Sequence, residues 1–524
     1  MSGSAAIAMS RLKSIIPIDR HDRAAASRQN VVPLQLAHEV TRPSRNRKMA
    51  RDWGNGNNIV GLDAKQLRDY ARHLERDHDI SRNALNILEQ NIVGSGIDVI
   101  PAPRLPGGDI DRELARDLKE LWDDFWDRPE VTWMHDLGKT QALLARGWMR
   151  DGESMYQDLV GPVTALQHGT LVPYSIELLE ADLLPLDLND PARRIMQGVE
   201  LNAWGRPVGY HIYKFHPGDP YTSWSLETKR VPAEYIRRLA LIDRMHQVRG
   251  LSVFASVIAR LEDIKDYEES ERIAAKVAAS LSAQIVKGLP DMYGSPEGVA
   301  ARVITPKAPG LRQLQMRPGL IADDLLPGER IELVDSKRPN PNAEAFRNGQ
   351  LRGVAGGLGT SYSSLSLDYN GSYSAQRQEL VEKWGGYHKL GEAFIALAVR
   401  PMWKQFVFAA VNAGLITLPK GWKLRHACAA TYIRPVMPWI DPLKEVVAKG
   451  EAQDRGWVSP QQNTLSMGND PDDMLSQSKD WHEQRGTTPG AAPVPADPNQ
   501  DPNASVRQVV RSDVIRTAIT EASK

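Results

Sequence analysis

Cysteine is almost absent: Cys428 is the only one in 524 residues. That excludes an intrachain disulfide and a zinc cage built from thiolates, and it gives no sign of an oxidising compartment. Net charge is also lacking, because 65 Lys and Arg balance 65 Asp and Glu. Proteins that scavenge nucleic acid are usually basic, so any nucleic-acid role must come from geometry or a local patch. No apolar run approaches the roughly 18 residues of a membrane helix. The N-terminal "MSGSAAIAMSRLKSIIPIDR" has no apolar core of the secretory kind. Its basic, acid-poor composition reads as a mobile arm over residues 1–50, with a transit peptide as the alternative.

Catalytic signatures are missing as well. The stretch "AGGLGTSYSSLSLDYNGSYSAQRQELVEKW", from Ala355 to Trp384, has the outline of a phosphate-cradling loop. A P-loop needs G-x-x-x-x-G-K-[ST], whose Lys neutralises phosphate and whose hydroxyl holds Mg²⁺. Here Gly359 is followed by Thr360 and Ser361 with no Lys, and no strand precedes it. "WGNGNNIVG" and "VGSG" offer glycine pairs without the dinucleotide fingerprint. The twelve histidines are scattered, with no H-E-x-x-H, and no G-x-S-x-G elbow occurs. The acids of "LEADLLPLDLND" resemble a glycosidase pair only in number, and a strand followed by a turn gives them a structural role. No enzyme, metal or cofactor is expected.

What is present is alternating α and β pattern. "DAKQLRDYARHLERDHDISRNALNILEQ", Asp63 to Gln90, predicts one helix with Asp63 as N-cap and Gly94 and Gly96 beyond its end. "IDVIPAP" predicts a strand. "IDRELARDLKELWDDFWDRP" predicts a helix with Leu114, Leu118, Trp122 and Trp126 along one face. "GESMYQDLV" and "YSIELLEADLL" have strand-length apolar patterns. "MQGVELNAWGRPVGYHIYKF" predicts a hairpin turning at Asn202 to Gly205. Together these describe an α+β domain from Trp53 to Arg249. From Leu251 to Lys287 there is no Gly or Pro, which predicts a continuous helix of about 55 Å at 1.5 Å per residue. Short Gly- and Pro-punctuated strands follow, then a helix over "NAEAFRNGQLRGVAGGLG" and a long one from about Ser374. Residues 487–503 are a Pro- and Ala-rich linker, and "VRQVVRSDVIRTAIT" could form a short helix.

An ordered set of stretches resembles the lambda-type family of bacteriophage portal proteins. They are "SRNALNILEQNIVGSGIDVIP", "RDGESMYQ", "IELLEADLL", "GVELNAWGRPVGYHIY", "HQVRGLSVFASVIARLEDIKDYEESE", "LLPGERIELVDSKRPNPN", "GGLGTSYSSLSLDYNGSYSAQRQELVEKW" and "WIDPLKEVVA". They span Trp53 to Leu475, leaving the arm and tail outside. The resemblance implies an α+β portal fold assembled as a ring, dodecameric in the family. Its parts would be a wing (51–250), a first stem helix (251–288), a β-rich clip (289–340) and a second stem helix (341–358). A tunnel loop (359–373), a long wing helix (374–420), a crown or C-terminal region (421–486) and a tail (487–524) would follow.

The implied function is a channel at one capsid vertex through which double-stranded DNA is packaged and ejected. Implied partners are further copies of the chain, DNA, terminase, major capsid or scaffolding protein and head–tail connector proteins, with no membrane. The implied location is the virion, after assembly in the host cytoplasm. The alternative is another capsid or tail structural protein that does not encircle DNA. The tunnel-loop resemblance falls on Thr360, Ser361, Tyr362, Ser364, Leu365, Asp368, Tyr369 and Asn370, where glycines supply flexibility rather than phosphate contacts. With Asp368 and no Lys or Arg, the loop suits a conduit better than a clamp, since DNA carries about one charge per 1.7 Å. Along the first stem helix Glu262, Asp263, Asp266, Glu268, Glu269 and Glu271 exceed the bases in number. They could repel DNA from the wall or form a solvated face with internal ion pairs.

Overall fold

The computed structural model describes residues 55–105, 110–164, 166–221, 226–280, 284–287, 329–332, 342–437 and 442–485. The expected arm, nearly all of the expected clip and the Pro-rich tail lie outside these residues. The described chain forms two units, the larger of residues 55–97 and 101–430, the smaller of 98–100 and 431–485. Both are mixtures of helices and small sheets, as the α+β reading requires.

The expected first helix starts earlier and is divided in two. Asn55, not Asp63, is the N-cap, its Oδ1 accepting from the Asn57 N–H at 3.2 Å. Helix α1 (Gly56–Asp77) stops at His78, whose extended backbone separates it from α2 (Asp79–Ile92). The buried His78 Nε2 donates to the Leu261 carbonyl at 3.2 Å, and helical periodicity alone carries no trace of such a tertiary bond. Strand β1 (Asp98–Pro101) follows.

Helix α3 (Arg112–Asp127) is capped by Asp111, whose Oδ1 accepts from Leu114 N at 3.1 Å. It buries Leu114, Leu118, Trp122 and Phe125, whereas Trp126 stays partly exposed. A step of four residues overshoots one turn by about 40°, so a strict four-residue stripe rotates off the buried face. Helix α4 (Leu137–Asp151) lies in a stretch from which the pattern reading drew no element. Asp136 caps it, accepting from Lys139 N at 2.7 Å, and Gly152 closes it at φ 85°. A Cβ at Gly152 would lie 2.3 Å from the Leu251 carbonyl carbon, so only glycine lets these backbones meet.

Two antiparallel sheets follow in the larger unit. β2 (Glu153–Val160) lies between β3 (Tyr174–Leu179) and β8 (Ile236–Ala240), in a register that pairs Asp158 with Ile176 and Ser154 with Leu239. β4 (Ile195–Met196), β5 (Val199–Leu201), β6 (Pro207–Tyr213) and β7 (Thr228–Pro232) form a meander. The β5–β6 turn is the expected one, with Gly205 N donating to Asn202 O at 3.0 Å. Between the sheets pack Met155, Leu179, Val199, Ile212 and Ile236.

The expected 37-residue stem helix is shorter: helix α5 (Ile258–Ser280) has 23 residues, about 35 Å at 1.5 Å per residue. Gln284–Lys287 is instead strand β9, antiparallel to β10 (Glu329–Glu332). Freedom from Gly and Pro permits a helix but does not compel one, and strand pairing takes this chain segment instead. Helix α6 (Ala343–Leu358) runs close to its expected bounds. A short helix α7 (Tyr362–Ser366) precedes α8 (Tyr373–Asn412), 40 residues long and ending before the expected 420.

Within α8 the turn Ile395–Val399 is a π-turn. Pro401 lies just beyond it, and its missing N–H and bulky ring disfavour an ordinary i−4 hydrogen bond there. The buried Tyr156 Oη donates to the Ala398 carbonyl at 2.7 Å and so engages this wide turn from β2. One window of α8 is long and apolar enough to cross a bilayer by composition, against the sequence expectation, but 56% of it is buried. Its aromatics form the core. Trp403 and Phe406 pack edge-on to Trp122 at 5.2 and 5.0 Å, and Phe125 stacks on Tyr174 at 5.2 Å.

In the smaller unit β1 pairs with β11 (Ala430–Ile433). Three helices follow: α9 (Pro442–Asp454), α10 (Pro460–Leu465) and α11 (Pro471–Arg485). Ser459 and Gln462 form a reciprocal capping box at α10, and neither α9 nor α10 buries a residue.

The core assignment leads to a stability prediction. Trp122→Ala should cost about 3–5 kcal/mol, the range for deleting a large buried aromatic. Trp126→Ala should cost clearly less. Urea denaturation of both variants checks this, and equal losses would contradict the placement of the buried face.

Candidate functional site

The segment from Gly359 to Ser372 joins α6 to α8, and the structure divides it into two unlike halves. Gly359 closes α6 at φ 70°, in the left-handed region that favours glycine. Thr360 is then buried, and its N–H donates to Ala355 O at 3.0 Å. Ser361 is also buried and caps α7, its Oγ accepting from Ser364 N at 3.2 Å. Leu365 inserts into the core. Residues 360–366, where the glycines were expected to supply flexibility, are thus packed and hydrogen-bonded within the fold.

Three elements hold this first half. From α8, Glu379 Oε1 accepts from Tyr362 N at 2.6 Å and Ser363 N at 3.3 Å, while Oε2 accepts from Ser363 Oγ at 2.5 Å. Burial opposes the charge on Glu379, but these hydrogen bonds outweigh it and hold the carboxyl below its usual range. The Tyr387 Oη accepts from Ser361 N at 3.4 Å. From α2, Asn83 Nδ2 donates to the carbonyls of Ser364 and Leu365, each at 3.1 Å. From α6, the Arg352 guanidinium lies 5.0 Å from the centre of the Tyr362 ring.

The second half is open. Leu367, in the left-handed region at φ 57°, is 69% exposed and Tyr369 is 59% exposed. Asn370 and Gly371 are exposed too. The bonds here are few: Tyr362 Oη donates to Asp368 Oδ2 at 3.2 Å, and Gln376 Nε2 donates to Tyr369 O at 2.6 Å. Within the turn, Asn370 N donates to Asp368 Oδ1 at 3.2 Å. Thus Thr360, Ser361, Tyr362, Ser364 and Leu365 belong to an anchored base, whereas Asp368, Tyr369 and Asn370 form a tip.

The paired helices α5 and α6 precede this segment. Arg347 Nε and Glu268 Oε1 form an ion pair at 2.5 Å, and the Tyr267 and Phe346 rings lie 4.8 Å apart. Arg272 and Glu269 pair within α5 at 3.6 Å. For Glu268 and Glu269, then, internal ion pairing accounts for part of the acid excess.

The chain enters α5 through a buried charge cluster that sequence reasoning missed. Glu153 on β2 and Arg249 are both fully buried and ion-paired, with Arg249 Nε 2.7 Å from Oε1. Arg68 of α1 and Arg238 of β8 reach the same carboxylate at 3.3 and 3.2 Å. Arg249 Nη1 also donates to the Gln197 carbonyl at 2.8 Å. Burial pushes the Glu153 carboxyl up, but the guanidiniums, Arg249 first, overcome this and hold it at about 2. No local pattern marks Arg68, Arg238 or Arg249 as inward-facing, since their shared partner Glu153 lies far away in sequence.

Glu180, Asp182 and His216 bring ligand atoms within 4.8 Å of one another, the geometry of a metal-binding trio. Asp182, however, accepts from Arg68 Nη1 at 2.8 Å and lies 2.5 Å from Arg72 Nη1. Two guanidiniums already supply the positive charge that a cation would bring, so this group is an ion-pair network. Asp158 is different. Burial lifts its carboxyl to about 6, although Arg237 Nε lies 3.0 Å away and Tyr174 Oη donates to it at 2.7 Å.

The profile of the family described as "Phage portal protein, lambda family" matches residues 42–390, and the chain belongs to that family. Among curated proteins it is similar to the probable portal protein of Halomonas phage phiHAP-1, with 24% identity over 475 residues, covering 85% of this chain and 88% of that protein. The portal protein of Escherichia phage N15 is 22% identical over 79% of this chain and 84% of its own length. Portal protein B of Escherichia phage lambda is 21% identical, over 82% and 86%. Among solved structures, a chain from the neck of an empty gene transfer agent particle overlaps 79% of this chain and 99% of its own, at 14% identity and a TM-score of 0.43.

The Glu153 and Asp158 carboxyls generate opposite pH dependences. Glu153 is held below its ordinary 4.5, so its contribution is complete above that pH and is lost as pH falls from 4.5 towards 2. Asp158 is held above its ordinary 3.8, so its contribution is complete below 3.8 and is lost as pH rises through about 6. Asp158→Asn should therefore gain stability relative to wild type as pH rises from 4 to 7.5. Chemical denaturation across that range tests the sign, and a difference independent of pH would refute the assignment.

Proposed function

We propose that the chain is the subunit of a portal ring, the channel at one capsid vertex through which double-stranded DNA enters and leaves. The observation that carries this reading is the continuous family match over 42–390, which takes in α5, α6 and the segment leading into α8. In this reading α5 and α6 are the stem pair, residues 289–340 the clip, Gly359–Tyr373 the tunnel loop and α8 the long wing helix. Residues 421–486 are the crown or C-terminal region, and 487–524 the tail. Terminase, capsid or scaffolding protein and head–tail connector proteins are the partners, in a virion assembled in the host cytoplasm.

Physical features support the ring. From Lys265 to Lys276 no residue of α5 is buried, and Ile273 and, on α6, Phe346 remain exposed. Neighbouring copies around a closed ring would cover such a helix pair, since heterologous contacts that close make rings. The exposed tip, with Asp368 and no Lys or Arg, suits a surface past which DNA slides rather than one that grips phosphate. Packaging energy then comes from a separate motor.

Two outcomes are expected. Light scattering after size exclusion should give a closed oligomer at micromolar concentration, and a monomer alone would count decisively against the ring. Replacing Leu367–Gly371 by a short Gly linker should leave ring yield unchanged while altering packaged genome length or retention. The anchored base must be spared, because deleting Leu365 would also remove core. Normal packaging and retention by such rings would show that the tip is not a channel element.

A further inference from the structure

We propose that Glu379 is the residue that positions the channel loop, confining motion to Leu367–Gly371 and tying the loop base to α8. This rests on the tunnel-loop reading above but concerns how that loop is held. The geometry is specific. One carboxylate on the second turn of α8 takes three hydrogen bonds from Tyr362 and Ser363, at 2.6, 3.3 and 2.5 Å. These donors open α7, a five-residue helix too short to persist alone. A carboxylate satisfies the first amides of a helix better than a neutral acceptor, both by charge and by the direction of the peptide dipoles.

The other restraints on the base differ in kind. Asn83 holds the far end of α7 through neutral bonds to Ser364 O and Leu365 O, and Tyr387 meets Ser361 N at 3.4 Å. Leu365 contributes apolar burial, which is non-directional. Only Glu379 combines direction, charge and a link to the helix whose far end is built into the aromatic core. Beyond Ser366 the ties are sparser: Asp368 accepts single bonds from Tyr362 Oη and Asn370 N, Gln376 donates to the Tyr369 carbonyl, and Leu367, Tyr369, Asn370 and Gly371 are exposed. The boundary between fixed base and mobile tip thus falls at Leu367, where the backbone enters the left-handed region.

The test uses full-length assembled rings of wild type, Glu379→Ala and Glu379→Gln. Amide hydrogen exchange should quicken about tenfold or more at residues 360–366 in Glu379→Ala, the scale for losing charged hydrogen bonds. Glu379→Gln, which keeps an acceptor without the charge, should fall between, while α2 and α6 exchange unchanged. Heads built on Glu379→Ala rings should also retain less of a packaged genome at equal ring yield. Wild-type exchange rates at 360–366 in both variants would overturn the proposal, as would equal quickening throughout α6 and α8, which marks general destabilisation. If exchange responds as expected but genome retention is unchanged, and the tip replacement also packages normally, the positioning role stands and the channel reading fails.

Discussion

A single buried carboxylate organises much of the larger unit. Glu153 stands at the first position of β2 and draws in Arg68 from α1, Arg238 from β8 and Arg249 from the chain entering α5. A lone buried carboxylate would be strongly disfavoured, and so would each arginine without it. The helical layer, the central sheet and the approach to α5 are thereby fixed to one point. Arg249 adds bonds to carbonyls outside the sheet, so the path of the chain into α5 is set together with the sheet itself. The close backbone approach of Gly152 to Leu251 adds a steric limit at the same junction.

Away from that junction an aromatic cluster adds to the packing. Trp122, Phe125, Tyr174, Trp403 and Phe406 fasten α3 and β3 to the second half of α8. The first half of α8 is largely exposed. The same helix therefore serves two environments, and the π-turn at Ile395–Val399 falls at their border. The wide turn, Pro401 just after it and the Tyr156 hydroxyl thus meet at one point along the helix.

Local order in the sequence was a good guide where one interaction range dominated. The hairpin at Asn202–Gly205, α6 and the start of α8 follow from turn residues, caps and periodicity. The long helix expected through Lys287 did not, because strand pairing of Gln284–Lys287 with distant Glu329–Glu332 is invisible to a local pattern. The break at His78 has the same origin in the Leu261 carbonyl. Asp136 and Gly152 did bracket α4, and a search for caps rather than for apolar stripes would have found it. At the candidate site, Gly, Ser and Asn content suggested a loop throughout. Composition cannot reveal that Glu379 and Asn83 order its first half, since those partners lie on other elements. The ordered motifs pointed to the family even though neither division of the loop nor the buried arginines could be read from them.

Helix α8 also has a mechanical consequence. A rod held firmly at one end converts angle into displacement at the other. Glu379 and Phe394 are separated by fifteen positions, about 22 Å at 1.5 Å per residue. A tilt of only about 5° about the aromatic anchorage shifts the Glu379 end by about 2 Å, a distance that follows from the helix rise alone. Small changes of packing at the aromatic end of the helix are thus geared up into the placement of the segment that Glu379 carries.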